Sequence, residues 1–116
     1  MTNEEIIARR DLLGRLGDVR GKFGWYIYRN MKILSEACAE AIRIRDEAIR
    51  KYGKDGSINP ASDKWADFIA EIKPVMDIEQ DVKMMKMPRD EFEKLAADGD
   101  LSAAELSILD ANIVEE

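Results

Sequence analysis

The chain has 116 residues, 46% of them apolar and 36% charged, with 18 Lys and Arg against 24 Asp and Glu for a net charge of −6. That length fits one domain with a modest core, and that balance describes a globular chain rather than a disordered one. The negative charge argues against a general nucleic-acid coat, and the absence of histidine, with a single cysteine, removes Ser-His-Asp triads, Cys-His dyads and ordinary structural zinc sites.

At the N-terminus, Thr2 and Glu5 have the spacing of a capping box, which predicts a helix over about Asn3 to Leu13. The opening MTNEEIIARR is acidic and lacks an apolar signal core, so neither secretion nor membrane insertion is expected.

The segment Arg9 to Arg29 concentrates the unusual chemistry. Gly14, Gly17, Gly21 and Gly24 recur among Arg9, Arg10, Arg15, Arg20 and Lys22, and Phe23, Trp25, Tyr26 and Tyr28 follow at once. Glycine bares the backbone, Arg supplies forked donors and aromatics supply flat faces. One reading is an anion cradle for phosphate or carboxylate groups, with Trp25 and Tyr28 beside it. The other is a turn beside a closely packed helix, its cations paired with carboxylates of the chain. The glycine run follows a helix and precedes no βαβ pattern, so it is neither a dinucleotide fingerprint nor a P-loop. Stacking of nucleic-acid bases on the aromatics would call for more positive charge around them.

Glycine costs about 1 kcal/mol relative to Ala inside a helix, so an unbroken helix through all four would forfeit roughly 4 kcal/mol. An interruption is the favoured reading. A smooth helical flank for close packing is the alternative.

From about Phe23 to Tyr52 the spacing predicts one long helix. Ile6, Leu13 and Leu16 share an apolar stripe with Phe23, Ile27, Leu34, Ala37, Ala41, Ile44 and Ala48, at steps of three and four. Met31, Cys38, Ile42 and Ile49 widen that face, which calls for more cover than one neighbour supplies. Cys38 is alone, so the chain forms no internal disulfide and a reducing, intracellular compartment is expected.

Lys51 to Pro60 is punctuation: Gly53 is expected to take the left-handed conformation that ends a helix, and Asp55-Gly56 to make a tight turn. Ser62 is expected to cap the next helix, whose apolar face is Trp65, Phe68, Ile69 and Ile72 up to Pro74. Two helices joined by a loop of about ten residues pack as an antiparallel pair. Over Val75 to Met87, Ile78, Gln80, Val82 and Met84 alternate with Asp77, Glu79, Asp81 and Lys83, the period of a short strand or extended arm. Three carboxylates in a row on a strand could hold a hard cation, but a solvated edge is the favoured reading. Met84, Met85 and Met87 are adaptable apolar side chains that suit either an interface or a core. Pro88 suits the first turn of a helix carrying Phe92 and Leu95 that stops at Gly99. Ser102 and Glu105 repeat the capping-box spacing before Leu106, Leu109 and Ile113.

Charge is unevenly distributed. Residues 1–54 hold twelve Lys and Arg against eight Asp and Glu, a balance of +4, and residues 55–116 hold six against sixteen, a balance of −10. The halves are expected to attract one another, within a chain or between chains.

The sequence resembles a family of small proteins of unknown function found in bacteriophages and prophages. The resemblance rests on Arg29-Asn30, the long helix ending in Lys51-Tyr52-Gly53, the Asp55-Gly56 turn, the tract Asp81 to Met87 and the closing segment Leu101 to Glu116. It implies a phage context and a site of action in the cytoplasm of the host bacterial cell, and it brings no catalytic residues.

The expectation is therefore a single, mainly α domain over residues 1–116: a long helix in an antiparallel hairpin or bundle, a short extended segment and a C-terminal helix, self-associating into a homo-oligomer. It is expected to be a binding protein, without catalysis, cofactor or metal. Its role is counter-defence, by inhibiting a bacterial defence protein or sequestering an anionic nucleotide, or alternatively virion or tail assembly. Candidate contacts are Arg9, Arg10, Arg15, Arg20, Lys22, Trp25 and Tyr28 for the ligand or partner, and Met84, Met85 and Met87 for an interface.

Overall fold

A computed structural model describes all residues, Met1 to Glu116. It contains five helices, α1 (Asn3–Gly14), α2 (Gly21–Tyr52), α3 (Trp65–Met76), α4 (Arg89–Ala97) and α5 (Ala103–Ile113). There is no sheet, only isolated bridges. None of the helices is long and apolar enough to cross a membrane.

The 32-residue α2 is the spine. At about 1.5 Å per residue such a helix spans roughly 48 Å, which accounts for the long dimension of a molecule measuring 52 × 27 × 18 Å. The hairpin loop before α2 folds α1 back along its first half, and the loop after it folds α3 back along its second half. The tip of α1 meets the end of α3 beside the middle of α2, where the Asn3 side-chain amide donates to the Val75 carbonyl at 2.8 Å.

The interruption between α1 and α2 is real, and it uses the glycines differently from one another. Gly17 and Gly21 take positive φ, 68° and 70°, and turn the chain. Gly14 closes α1, and Gly24 lies inside α2, where a Cβ would run into the Val19 carbonyl. The expected left-handed Gly53 is not left-handed: its φ is −102°. Glycine is needed there because a side chain would collide with the carbonyls of Ser57 and Ile49. Positive φ falls instead on Asp55 and Gly56, the residues of the tight turn.

Both capping boxes form, Thr2 with Glu5 at α1 and Ser102 with Glu105 at α5. Ser62 does not cap α3. Its hydroxyl accepts from the Lys64 amide two residues on, and Lys64 occupies the N-cap. Pro74 stands inside α3 rather than beyond it, because a missing N–H in the last turn forfeits only one intrahelical bond.

The buried stripe of α2 follows the sequence periodicity. Phe23, Ile27, Leu34 and Cys38 join Ile6, Ile7, Leu13 and Leu16 of the α1 hairpin and Met87, Phe92, Leu109, Ile113 and Val114 in the main core. Phe23 and Phe92 meet edge to face at 5.9 Å, which ties α4 to the start of α2. A smaller cluster of Ala48, Phe68 and Ile72 holds α3 to the far end. Arg45 lies on the stripe between Cys38 and Ala48 and divides the two.

Asp77 to Met87 is an extended strap and not a sheet strand. It starts beside the N-terminus, where the Asn3 amide donates to the Ile78 carbonyl at 3.0 Å and the Gln80 amide to the Met1 carbonyl at 2.8 Å. The Gln80 side chain reaches across α1 to the Ala37 carbonyl of α2 at 2.8 Å. The strap ends against the C-terminus, where the Met87 amide donates to the Ile113 carbonyl and the Glu115 amide to Met87. Its alternation holds from Gln80 to Lys83, inward then outward, but Ile78 is 51% exposed.

Candidate functional site

The candidate residues of the basic segment do not converge. Arg9 and Arg10 lie on α1 and lean on sulfur, Arg9 against Met84 and Arg10 against Cys38, and Arg10 also pairs with Asp11 at 2.9 Å. Arg15 is exposed at the end of α1. Arg20 is the N-cap of α2, makes no capping bond, and stands in solvent 3.9 Å from Asp18. Lys22 pairs with Glu91 of α4 at 3.1 Å.

A cleft of about 350 Å³ opens at the start of α2, but it holds Asp18, Asp98 and Asp100 together with Arg20 and Lys22. An anion entering it meets carboxylates as well as cations, so the anion cradle, one of the two readings of this segment, is not assembled. The acidic second half reaches the basic segment only through Glu91 on Lys22. Its other links to the first half are Glu71 on Lys51 at 3.1 Å and Glu79 on the Met1 ammonium at 3.2 Å.

What the fold does assemble is the outward face of the first half of α2. Trp25 is 50% and Tyr28 62% exposed, two of the three large apolar side chains so placed. Steps of three and four put them on one face with Arg29 and Lys32. The Arg29 guanidinium lies 5.9 Å from the centre of the Trp25 ring, and the Tyr26 ring meets that ring edge to face at 5.2 Å. From Val19 to Ser35 the chain carries Arg20, Lys22, Arg29 and Lys32 and no carboxylate. Arg29 and Lys32 make no ion pair within the chain, unlike Lys22.

The methionine tract divides. Met87 is fully buried, so the expectation of an interface fails there: it is core, held by Ile113 and Glu115 backbone on either side. Met84 and Met85 are half-buried along the strap, and Met84 packs against the main core. Adaptable apolar side chains suit an interface and a core alike, and the sequence could not choose between them because the surface that buries Met87 comes from the distant C-terminus.

Asp77, Glu79 and Asp81 point into solvent, and Asp77 and Glu79 are occupied by Lys73 at 2.9 Å and by the Met1 ammonium. Nowhere do three Asp, Glu or Cys side chains come within reach of one ion.

Sequence reasoning missed the buried polar residues that fix the strap. Asn30 is fully buried in α2; its amide donates to the carbonyls of Tyr26 and Met85 at 2.9 Å each, and its oxygen accepts from the Met85 amide at 2.7 Å. The side chain of Asn112, also buried, donates within α5 to the Ile108 carbonyl at 2.7 Å, and its backbone carbonyl accepts from Lys86 of the strap at 2.9 Å. The legible signal was an amide in the middle of an apolar stripe, where it is buried only if hydrogen-bonded. The ionisable groups perturbed by their surroundings are all solvent-exposed pairs. The Thr2 amide and hydroxyl hold Glu5 below the usual carboxylate range, and Arg43 does the same to Glu40. None of them lies in a cleft.

Comparison with protein families, with curated proteins and with solved structures returns no match for this chain.

Proposed function

We propose that this chain is a non-catalytic binding protein that docks on an acidic protein surface through the first half of α2. The observation that carries the reading is the pairing of two exposed aromatics, Trp25 and Tyr28, with Arg29 and Lys32, on a helix face without carboxylates. Aromatic rings supply contact area at low entropic cost, and the flanking cations select an acidic partner. Tyr26 and Arg29 restrict Trp25 before any partner arrives, which lowers the cost of ordering it.

In the phage setting that the sequence resembles, such a face serves counter-defence by occluding a bacterial defence protein in the host cytoplasm. Sequestration of an anionic nucleotide is the weaker form of that idea, since Arg9, Arg10, Arg15, Arg20 and Lys22 lie apart. Virion or tail assembly is the second reading. The charge of α2 favours it, basic over the first half and with Glu36, Glu40 and Glu47 beside Arg43 and Arg50 on the outward face of the second, because an assembly component meets its own copies.

Trp25 reports the test. Its fluorescence is titrated with a helical peptide bearing Glu at steps of three and four, with a single-stranded oligonucleotide and with a cyclic dinucleotide. The peptide alone should change the signal, the effect should weaken with salt, and R29E/K32E should abolish it. A response to the nucleotides and none to the peptide would overturn the reading.

A further inference from the structure

The outward face of α2 continues past Lys32 and changes sign. Glu36, Glu40, Arg43, Glu47 and Arg50 succeed one another along it, and every residue from Trp25 to Arg50 on this line, Tyr28 and Ala39 included, is exposed. No other element of the chain covers any of it. At about 100° per residue, Lys22, Arg29, Glu36, Glu40 and Glu47 fall along one flank of the face, and Trp25, Lys32, Ala39 and Arg43 along its centre.

We infer that this face is covered by a second copy of the chain, its α2 antiparallel to the first about a two-fold axis level with Leu34 and Ser35. The inference rests on the docking role given to the first half of α2 and names a second copy as its occupant, in line with the assembly reading and in place of a defence protein on this face. In an antiparallel pair equivalent flanks face each other, so residues whose numbers sum to 69 stand level. Lys22 then meets Glu47 of the second copy and Arg29 meets Glu40, and the two-fold repeats both pairs. Trp25 comes level with the turn that carries Arg43 of the second copy, within reach of a cation–π contact. A parallel pair would instead bring equal numbers level, leaving neither Glu47 nor Glu40 of the second copy within reach of Lys22 or Arg29.

The chain's own pairs leave this geometry available. Arg43 bonds one oxygen each of Glu40 and Glu47, so the second oxygens point outward without a partner. Lys22 remains 69% exposed beside Glu91.

Charge exchange on the full chain tests the pairing, with mass measured by sedimentation or light scattering. Wild type should be a dimer at low salt and dissociate in 1 M salt, where the screening length falls to about 3 Å. K22E/R29E makes the flank wholly acidic and E40K/E47K leaves Glu36 as its one carboxylate, with like charges at both opposed pairs in either case, so each alone should be monomeric with unchanged helical circular dichroism. Mixed one to one, they should form a heterodimer, since every opposed pair is complementary again. A monomeric wild type, or a dimer that both charge variants retain, would overturn the inference. Binding of the acidic peptide by a monomeric wild type, lost in R29E/K32E, would overturn it too while leaving the docking role of the face intact.

Discussion

Asn30 and Met85 are joined by two hydrogen bonds, at 2.7 and 2.9 Å, in which one side chain on α2 pairs with both the amide and the carbonyl of one strap residue. An amide side chain has a donor and an acceptor side by side, so it pairs with extended backbone as a neighbouring strand would. This is how the protein fixes a strap that belongs to no sheet.

Asn30→Ala should therefore cost about 2 to 3 kcal/mol, because it strands a buried N–H and C=O as well as opening a small cavity. Urea unfolding measures the loss, and hydrogen exchange should show the Met85 amide freed ahead of the α2 amides. Uniform loosening of the whole chain would contradict the clamp.

Met87→Ala should cost about 2 to 5 kcal/mol, the range for emptying a fully buried large side chain. Met85→Ala, at a half-buried position, should cost much less. Equal effects would mean that the tract is not divided between core and surface.

Two glycine substitutions should have opposite signs. Gly14→Ala meets only the Met31 Cε at 3.7 Å, an ordinary contact, and should stabilise by up to about 1 kcal/mol through helix propensity. Gly24→Ala gains the same propensity but drives its methyl into the Val19 carbonyl, so it should destabilise on balance. Thermal unfolding of the two variants decides the order.

The acid limb of stability should depend on Glu5. The Thr2 amide and hydroxyl lower its folded value below 4.5, so its contribution is present above the unfolded value and is lost as pH falls through the folded one. The alkaline limb runs the other way. Lys51 is raised above 10.5, first by its bond to Glu71, so its contribution is complete below that value and is lost as pH rises past the folded one. These groups are exposed, and both effects should be small. Glu5→Gln should flatten the urea midpoint between pH 5 and 3 relative to wild type, which a profile unchanged by the substitution would contradict.

Local signals were legible wherever neighbours in sequence settle the outcome. The capping boxes, the Asp55-Gly56 turn and the long helix all appear where their spacing put them, as does the break between α1 and α2. Gly53 and Ser62 were misread because their roles depend on where Ser57 and the start of α3 lie, several residues on. At the candidate site, the sequence picked out Trp25 and Tyr28, which are exposed, but grouped them with arginines that the fold disperses over α1, a loop and a helix end. Arg29 and Lys32 complete the face; Arg29 closes the basic segment and Lys32 follows it, and only their exposure on one helix face with Trp25 and Tyr28 marks them out.

The sequence by itself determined the helices, their capping-box starts and the apolar stripe, because periodicity, caps and turn residues act within a few positions along the chain. Only the tertiary structure decided that Met87 is core, that Asn30 grips the strap, and that the arginines part company while one aromatic, basic helix face stays open. Each of those outcomes depends on which distant segment arrives to bury a side chain or to accept its hydrogen bond, and burial is a property of the assembled chain.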